Sequence, residues 1–520
     1  MRRHLRDRVL GTGLAMLLFV AGVVAQQPPP GAADASAKAP AKRAVRPEDY
    51  GAWESLGIPA LSPDGRWLAY GIARTEGDGE MRLRMLATEA TEALPRGARP
   101  QFSRDGKWLA YSIGVSEAER EKTEKAKEAV KSKVGLRNLV SGESATIDDV
   151  ATAAFSENGK FLVMRRYPIK GRESAGIDIV VRDLATGIDT SFGNVANYAF
   201  NDKGTLLALV IDAEGKAGNG IQVYDTATGL LRTLESANAK YTALTWRKDA
   251  ADLAVLREND HAKEEDASFV VLAWRDLNQP KPRKSTYDFA KDGGFPKEHR
   301  VVDFANLSWS DDGQTLFFGI KSWEHKPVPK AKKEAPKKDE PKKEEPKKPA
   351  AKKSLRDTLK EPAGVEVWHA RDVDIIPLQK KTAARKQREN HLAAWWLDDG
   401  KLVPLGNELN ESVVLLDGHK HALGLDNTPH EHEKKFGPTL HDVYLIDVKT
   451  GERKKVLDRL KYTEGSSPDG RYLLYLKDKN VWSYDVSTGA HVNLTGGLGV
   501  SFINEELTNL TDEKPPYGPA

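Results

Sequence analysis

The sequence predicts an all-β fold of repeated four-stranded units, and three observations predict it. The first is a returning phrase. It runs Leu61-Ser62-Pro63-Asp64-Gly65-Arg66-Trp67-Leu68-Ala69-Tyr70, then Phe102-Ser103-Arg104-Asp105-Gly106-Lys107-Trp108-Leu109-Ala110-Tyr111, then more loosely Phe155-Ser156-Glu157-Asn158-Gly159-Lys160-Phe161-Leu162. Shorter echoes stand at Phe200-Asn201-Asp202-Lys203-Gly204, Trp309-Ser310-Asp311-Asp312-Gly313 and Ser467-Pro468-Asp469-Gly470-Arg471-Tyr472-Leu473. The second observation is the spacing of the first four turn glycines, 41, 53 and 45 residues, room for four short strands per period. The third is a downstream signature of a strand, an Asp and a Thr-Gly turn, as in Ile221-Gln222-Val223-Tyr224-Asp225-Thr226-Ala227-Thr228-Gly229 and Val443-Tyr444-Leu445-Ile446-Asp447-Val448-Lys449-Thr450-Gly451. Two ordered hairpin signatures per period describe one blade of a β-propeller. A solenoid is the structural alternative, but a four-strand period favours radial closure.

Each repeated phrase has a local physical reading. A strand ends at the apolar residue before Ser, and Asp-Gly or Asn-Gly turns the chain. Gly supplies positive φ without steric cost, and Asp or Asn bonds its own backbone. The strand that follows alternates bulky with small or polar residues. Turns near residues 65, 106, 159, 204, 249, 313, 399 and 470, with a degenerate unit around 413–457, predict seven or eight blades. Trp246-Arg247-Lys248-Asp249 keeps the aromatic residue without the turn Gly. The tryptophans Trp67, Trp108, Trp246 and Trp309 are read as equivalent repeat positions that pack the blades before they serve any ligand.

The N-terminus precedes the repeat. Arg2, Arg3, Arg6 and Arg8 form a basic region, Val9 to Ala25 is apolar, and Val23-Val24-Ala25 resembles a cleavage site, so residues 1–25 are expected to be a signal peptide. That apolar run is at the short limit for a span, so membrane contact is expected only if the segment stays uncleaved. A flexible Pro- and Ala-rich leader is expected over 26–46, and the propeller over 47–520. The localisation that follows is exported, periplasmic or extracellular.

Two insertions interrupt the blades. Residues 116–133 are nearly all Glu, Lys, Arg and Ala, with Glu121 and Lys125 at helical spacing, and predict an exposed charged helix. Residues 326–353, with 12 Lys, 5 acidic residues and regular Pro, are expected to be disordered. The formal charge of +3 comes from this segment and the N-terminal arginines, so the rest of the chain is acidic. A mildly acidic body excludes a nucleic-acid partner, which needs a basic face.

The chain has no cysteine, which excludes a disulfide framework and a thiol nucleophile. A Gly-x-Ser-x-Gly elbow is absent too: Gly142-Glu143-Ser144 runs into Ala145-Thr146, and Gly465-Ser466-Ser467-Pro468 belongs to a blade turn. His419, His421, His430, His432 and His441 crowd residues 419–441, where His-x-His on a strand could face a metal; a polar loop with surface histidines is the other reading. Asp417-Gly418 and Asp426-Asn427 fit turns. Glu264-Glu265 could hold a substrate amine, or sit in a solvated loop. No catalytic, cofactor-binding or metal residue is assigned, and no cofactor is expected.

The repeated phrase resembles the WD40-like repeats of TolB-type propellers and of the N-terminal propeller in prolyl oligopeptidase family peptidases. Val365-Glu366-Val367-Trp368-His369-Ala370-Arg371-Asp372, Ile375-Ile376-Pro377-Leu378-Gln379 and His391-Leu392-Ala393-Ala394-Trp395-Trp396 look like a blade of secreted bacterial members of that family. Tyr50-Gly51-Ala52-Trp53-Glu54 looks like their propeller entry. The resemblance covers roughly residues 47–520 and implies a propeller covering the active site of an α/β-hydrolase domain, serine-type peptidase chemistry and peptide substrates. No position here matches the hydrolase motif, and the chain stops at Pro515-Pro516-Tyr517-Gly518-Pro519-Ala520. The expectation is therefore a substrate-gating and docking portion that is not catalytic by itself, its peptide partner reached through a missing or separate hydrolase domain. The alternative is a freestanding TolB-like periplasmic propeller with an envelope protein partner.

Overall fold

The computed structural model describes residues 46–126, 130–169, 171–172, 174–259, 267–323, 369, 372–407, 411–435 and 438–502. The expectations for the signal peptide, the 26–45 leader, the Lys-rich segment 326–353, Glu264-Glu265 and Val365 to Trp368 lie outside these residues. The described residues up to Trp53 belong to a unit of their own: Pro47–Ala52 is a 3-10 turn, and the Tyr50 and Trp53 rings meet edge to face at 4.8 Å. The second unit starts at Glu54 and holds the β-propeller.

The described strands form seven antiparallel sheets that follow sequence order, save that in two of them the first strand is broken into two pieces, Glu54–Leu56 with Ala60–Leu61 and His299–Val302 with Ser308–Trp309, both paired to the second strand. One has seven strands, Val150–Phe155 through Leu231–Ser236, and reads as two blades that share a strand. The shared strand, Asp189–Phe200, pairs with Ile177–Asp183 through its first half and with Leu206–Ile211 through its second. It shifts register at the Val195/Asn197 step, beside Asn194 at φ 57°. A bulge bends a strand and strengthens its twist, which lets one strand serve two blades. Eight consecutive four-stranded units result.

Two expectations about the repeat need correction, the turn at Asp399-Gly400 and the equivalence of the four tryptophans. The turn at Asp399-Gly400 does not open a blade, because it joins the third and fourth strands of the sixth unit, His391–Trp396 and Leu402–Pro404. The unit around 413–457 is a complete blade, Glu411–Leu415, His421–Asp426, His441–Asp447 and Arg453–Leu460. The four tryptophans are not equivalent either. Trp67 and Trp108 open second strands, whereas Trp246 and Trp309 close first strands. From there the Trp246 Nε1 donates to Ala199 O at 2.9 Å and the Trp309 Nε1 to Thr245 O at 3.3 Å, each bridging to the preceding blade.

Why the phrase recurs is visible in the turns. Ser103 is fully buried; its Oγ donates to Asp105 Oδ1 at 2.7 Å and accepts the Trp108 N–H at 2.9 Å. The same bonds recur at Ser62 with Asp64 and Trp67, Ser310 with Asp312 and Thr315, and Ser467 with Asp469 and Tyr472. Where Asn201 replaces Ser, its Oδ1 accepts the Leu206 N–H at 3.0 Å. In the fifth unit Asp249 itself takes φ 54° and stands in for the missing Gly. Gly204 needs positive φ (63°) and also has no room: a Cβ there would lie 2.4 Å from Nδ2 of Asn158, the turn residue of the preceding blade.

The core sits between blades, not within them. Leu206, Ala208 and Val210 pack with Tyr241 and Val255 of the next blade, whereas Leu207, Leu209 and Ile211 pack with Val163 and Phe192 of the preceding one. A strand's two-residue alternation thus feeds two interfaces. Seven such clusters join the eight units in succession.

Candidate functional site

In an antiparallel meander, the first-to-second and third-to-fourth connections share one edge, and the second-to-third connections share the other. The first edge carries connections of seven residues or fewer, the longest being Asp276 to Pro282. Asp225 is typical, its Oδ1 accepting the Ala227 and Thr228 N–H groups at 2.9 Å each. The long connections all leave from the second edge: Ile113 to Lys133, Arg166 to Ile177, Ile211 to Gly220, Asn259 to Ser268, Ser322 to His391 and Asp426 to His441. Loops displayed on one side of a rigid scaffold are where binding and catalytic residues concentrate. This excursion edge is the candidate functional surface.

The predicted charged helix forms there as α1, Glu117–Ala126, with Glu121 and Lys125 paired at 3.4 Å and no buried residue. Its N-terminus is a capping box that the sequence reading passed over. Ser116 N–H donates to Glu119 Oε2 at 3.0 Å, and Glu119 N–H donates to Ser116 Oγ at 3.3 Å. The helix is tied to the first blade, not only to its own. Glu117 N–H donates to Asp78 Oδ1 at 2.9 Å, and Gly77 N–H to Glu117 Oε2 at 3.1 Å.

Of residues 365–396, read as a blade, the described ones are mostly an excursion. Ile376–Lys386 is a helix, α2, opened by Pro377 in its first turn, and His391–Trp396 is the only strand among the described residues of this range. Asp374, buried before α2, holds Lys386 Nζ at 3.1 Å and Lys434 Nζ at 3.4 Å. Burial disfavours its charge, but the Lys386 bond and the Lys434 charge prevail, and its carboxyl titrates below the ordinary aspartate value.

The five histidines do not converge. His419 and His421 lie at the turn edge of the seventh blade, and His430, His432 and His441 at its excursion edge, a strand length away. Among the described residues no group of three or more His, Asp or Glu could hold a metal. His430 is instead buried between carboxylates, Nε2 at 2.8 Å from Asp442 Oδ1 and Nδ1 at 3.4 Å from Glu433 Oε1. Asp442 also accepts from Lys455 Nζ at 2.8 Å and from the Arg459 N–H at 3.2 Å. Burial opposes ionisation of Asp442, yet the bonds from His430, Lys455 and Arg459 outweigh it and hold its pKa at about 2. This network ties the 427–440 excursion to its blade.

Where a fourth strand hands over to the next blade, the excursion edge opens crevices at equivalent places. One lies between the first and second blades, about 550 Å³, bordered by Ile58, Ile72, Gly79, Arg96, Arg99 and Arg120. A second, about 450 Å³, lies between the fourth and fifth, and a third, about 410 Å³, between the sixth and seventh. No sequence signal marked Arg96, Arg99 or Arg120, because the repeat places no fixed residue type there.

No protein-family model matches this sequence, and no curated protein matches it. Among solved structures, the chain is similar to the β-propeller domain of the Trilobed protease from Pyrococcus furiosus, at 12% identity over 78% of this chain and 98% of that one, with a TM-score of 0.28. It is similar to a prolyl endopeptidase at 12% identity, over 83% of this chain and 55% of that one, with a TM-score of 0.32. A third similar structure is TolB from Acinetobacter baumannii, at 15% identity over 43% of this chain and 52% of that one, with a TM-score of 0.22. The chain thus spans about half the length of the last two.

Proposed function

We propose that this chain is the substrate-gating and docking propeller of an exported, prolyl oligopeptidase-like serine peptidase, and that it performs no hydrolysis alone. The observation that carries this reading is the one-sidedness of the excursions. The longest connections, including α1 and α2, leave from a single edge, while those of the opposite edge span seven residues or fewer among the described residues. A propeller that covers a catalytic domain needs such a working face. The repeated phrase and the residues at 375–379 and 391–396 supply the family resemblance, and the basic N-terminal segment supplies the export route. The missing nucleophile elbow also suits a freestanding TolB-like propeller in an envelope complex.

Photo-crosslinking separates the two readings. A photo-crosslinking residue replaces Lys122 on α1 in one variant and Arg104 at the turn edge in another, each in the full chain. Each is exposed to a biotinylated casein digest. Docking predicts peptide labelling at position 122 and little at 104; equal labelling at both overturns the one-sided face. Labelling at 122 by folded envelope proteins alone favours the freestanding reading. A fluorophosphonate probe that labels the chain stoichiometrically overturns the claim that it lacks hydrolytic activity.

A further inference from the structure

The three junction crevices are products of the repeat, so their differences carry more information than their presence. The crevice between the sixth and seventh blades is polar and self-neutralised. Its Arg385, Lys386 and Lys434 face Glu389, Glu411 and Glu431; Lys386 and Lys434 are tied to Asp374, and Glu411 to Arg453. The crevice between the fourth and fifth blades has only Ala237 and Ala239 as apolar walls; its Arg257 is paired with Glu235 at 2.9 Å, while its Lys216 and Lys240 stand without an ion pair among the described residues.

The crevice between the first and second blades differs in its walls and in presenting guanidinium groups beside them. Ile58, Ile72, Ala73, Ala98 and Val115 give it apolar walls, and glycines bring the backbone close. At Gly79 a Cβ would meet Ile72 O at 2.8 Å, so the wall cannot be thickened there. Three guanidinium groups border this apolar space. Arg96 is 3.9 Å from Glu119, while Arg99 and Arg120 have no side-chain partner among the described residues. The acids present are already engaged: Glu80 pairs with Arg82 at 2.9 Å and Arg74 at 3.3 Å, and Asp78 receives the Glu117 N–H.

Scaffold explains part of this. The left-handed φ of Arg96, 58°, belongs to the repeat, since Asp149, Asn194, Glu298 and Arg459 take the same conformation at other blade-to-blade corners. Arg99, at φ 52°, has a counterpart only in Ala243 of the fifth blade, where a neutral side chain stands instead. The positive charge at this first-strand bulge is therefore not required by the fold.

We propose that the crevice between the first and second blades is a binding site for an apolar carboxylate, whose tail lies against Ile58, Ile72 and Val115 while Arg99 and Arg120 take the carboxylate. A guanidinium fork matches a carboxylate bidentately, and weak hydration suits it to a site with apolar walls. The volume falls in the range of small-ligand pockets. The C-terminus of an apolar peptide and a free fatty acid share this chemistry. The proposal rests on the excursion edge being the working face.

The test is calorimetric titration of the full chain with three probes: acetyl-Ala-Leu-Phe as the free acid, the same peptide as its C-terminal amide, and decanoate. The free acid is expected to bind at least about tenfold more tightly than the amide. An Arg99→Gln/Arg120→Gln double variant, both side chains being exposed, is expected to keep the wild-type melting temperature and lose that preference. Arg385→Gln at the sixth–seventh crevice leaves it intact. Saturable decanoate binding with no peptide binding assigns the site to fatty acids and keeps it. Equal binding of acid and amide, an unchanged preference in the double variant, or no saturable carboxylate binding overturns the proposal. Peptide crosslinking at position 122 together with any of these leaves the docking reading standing and removes this one alone.

Discussion

Replacing Ser103 with Ala isolates what the repeated phrase contributes to stability. Ser103 is fully buried, and its Oγ is the acceptor for the Trp108 N–H at 2.9 Å and a donor to Asp105 at 2.7 Å. The substitution leaves a backbone donor unpaired away from water, which costs about 1–3 kcal/mol, and it removes a hydroxyl–carboxylate bond of about 1 kcal/mol. Asp105 recovers part of this, since it keeps the Lys107 N–H and stays partly in water. The expected cost is therefore about 2–4 kcal/mol, confined to one hairpin. Global melting is a poor readout, because a chain of eight units joined only to neighbours need not unfold in one step. Amide hydrogen exchange at Trp108 reads the hairpin directly and should accelerate roughly 30- to 700-fold. Ser467→Ala is the internal control: its hydroxyl makes the same bonds but is only half-buried, so water replaces them and the Tyr472 amide should respond far less. Exchange at Trp108 within threefold of wild type, or an equal response at Tyr472, refutes the reasoning.

Gly204→Ala should destabilise by about 2–3 kcal/mol, combining an unfavourable left-handed φ with displacement of Asn158, whereas Gly142→Ala, at φ 80° with open space around it, should cost only the backbone share of about 1–2 kcal/mol. Equal shifts in the two melting curves would dismiss the contact between successive turns. Acid should loosen the seventh blade through Asp442: its folded pKa of about 2 lies below the ordinary aspartate value, so its contribution is complete above pH ~4 and disappears as the pH falls towards 2. The size is about 2 kcal/mol, so the protection factors of residues 441–447, taken against the intrinsic exchange rate at each pH, should fall steeply below pH ~4 in the native chain and more gently in Asp442→Asn, and parallel profiles would remove Asp442 as the cause.

The architecture was legible because its determinants are local. Ser, Asp and Gly at fixed offsets close a turn with their own atoms, so the phrase carries its geometry wherever it occurs. The false reading at Asp399-Gly400 shows the limit of that rule. The third-to-fourth turn also uses Asp and Gly. A Ser two residues before the Asp marks most first-to-second turns, and Leu397 holds its place here, but Arg247 and Leu415 hold it in the fifth and seventh blades, so the mark is not complete. Trp246 and Trp309 were misplaced for a similar reason: an aromatic residue close to a turn does not by itself say which side of the turn it occupies. The site residues were harder. Asp374 meets Lys434 and His430 meets Asp442 only because an excursion folds back over its blade. The Arg99–Arg120 pairing across one crevice joins a strand of the second blade to a helix in its own excursion. No period or motif in one sequence records such a meeting.

A repeat protein supplies its own controls, and that is what gives the first crevice its weight. The blade-to-blade corner, the left-handed residue and the crevice behind it occur more than once, so none of them needs a functional explanation. At the sixth–seventh crevice acids and bases line the same space, and at the fourth–fifth the unpaired cations Lys216 and Lys240 stand beside almost no apolar wall. At the first, apolar walls and two guanidinium groups without a side-chain partner among the described residues occur together. Such a combination is stabilised by an anion with an apolar body. Within this fold the informative positions are therefore the ones where a blade departs from its siblings, and Arg99, set where the fifth blade carries Ala243, is the sharpest departure at the excursion edge.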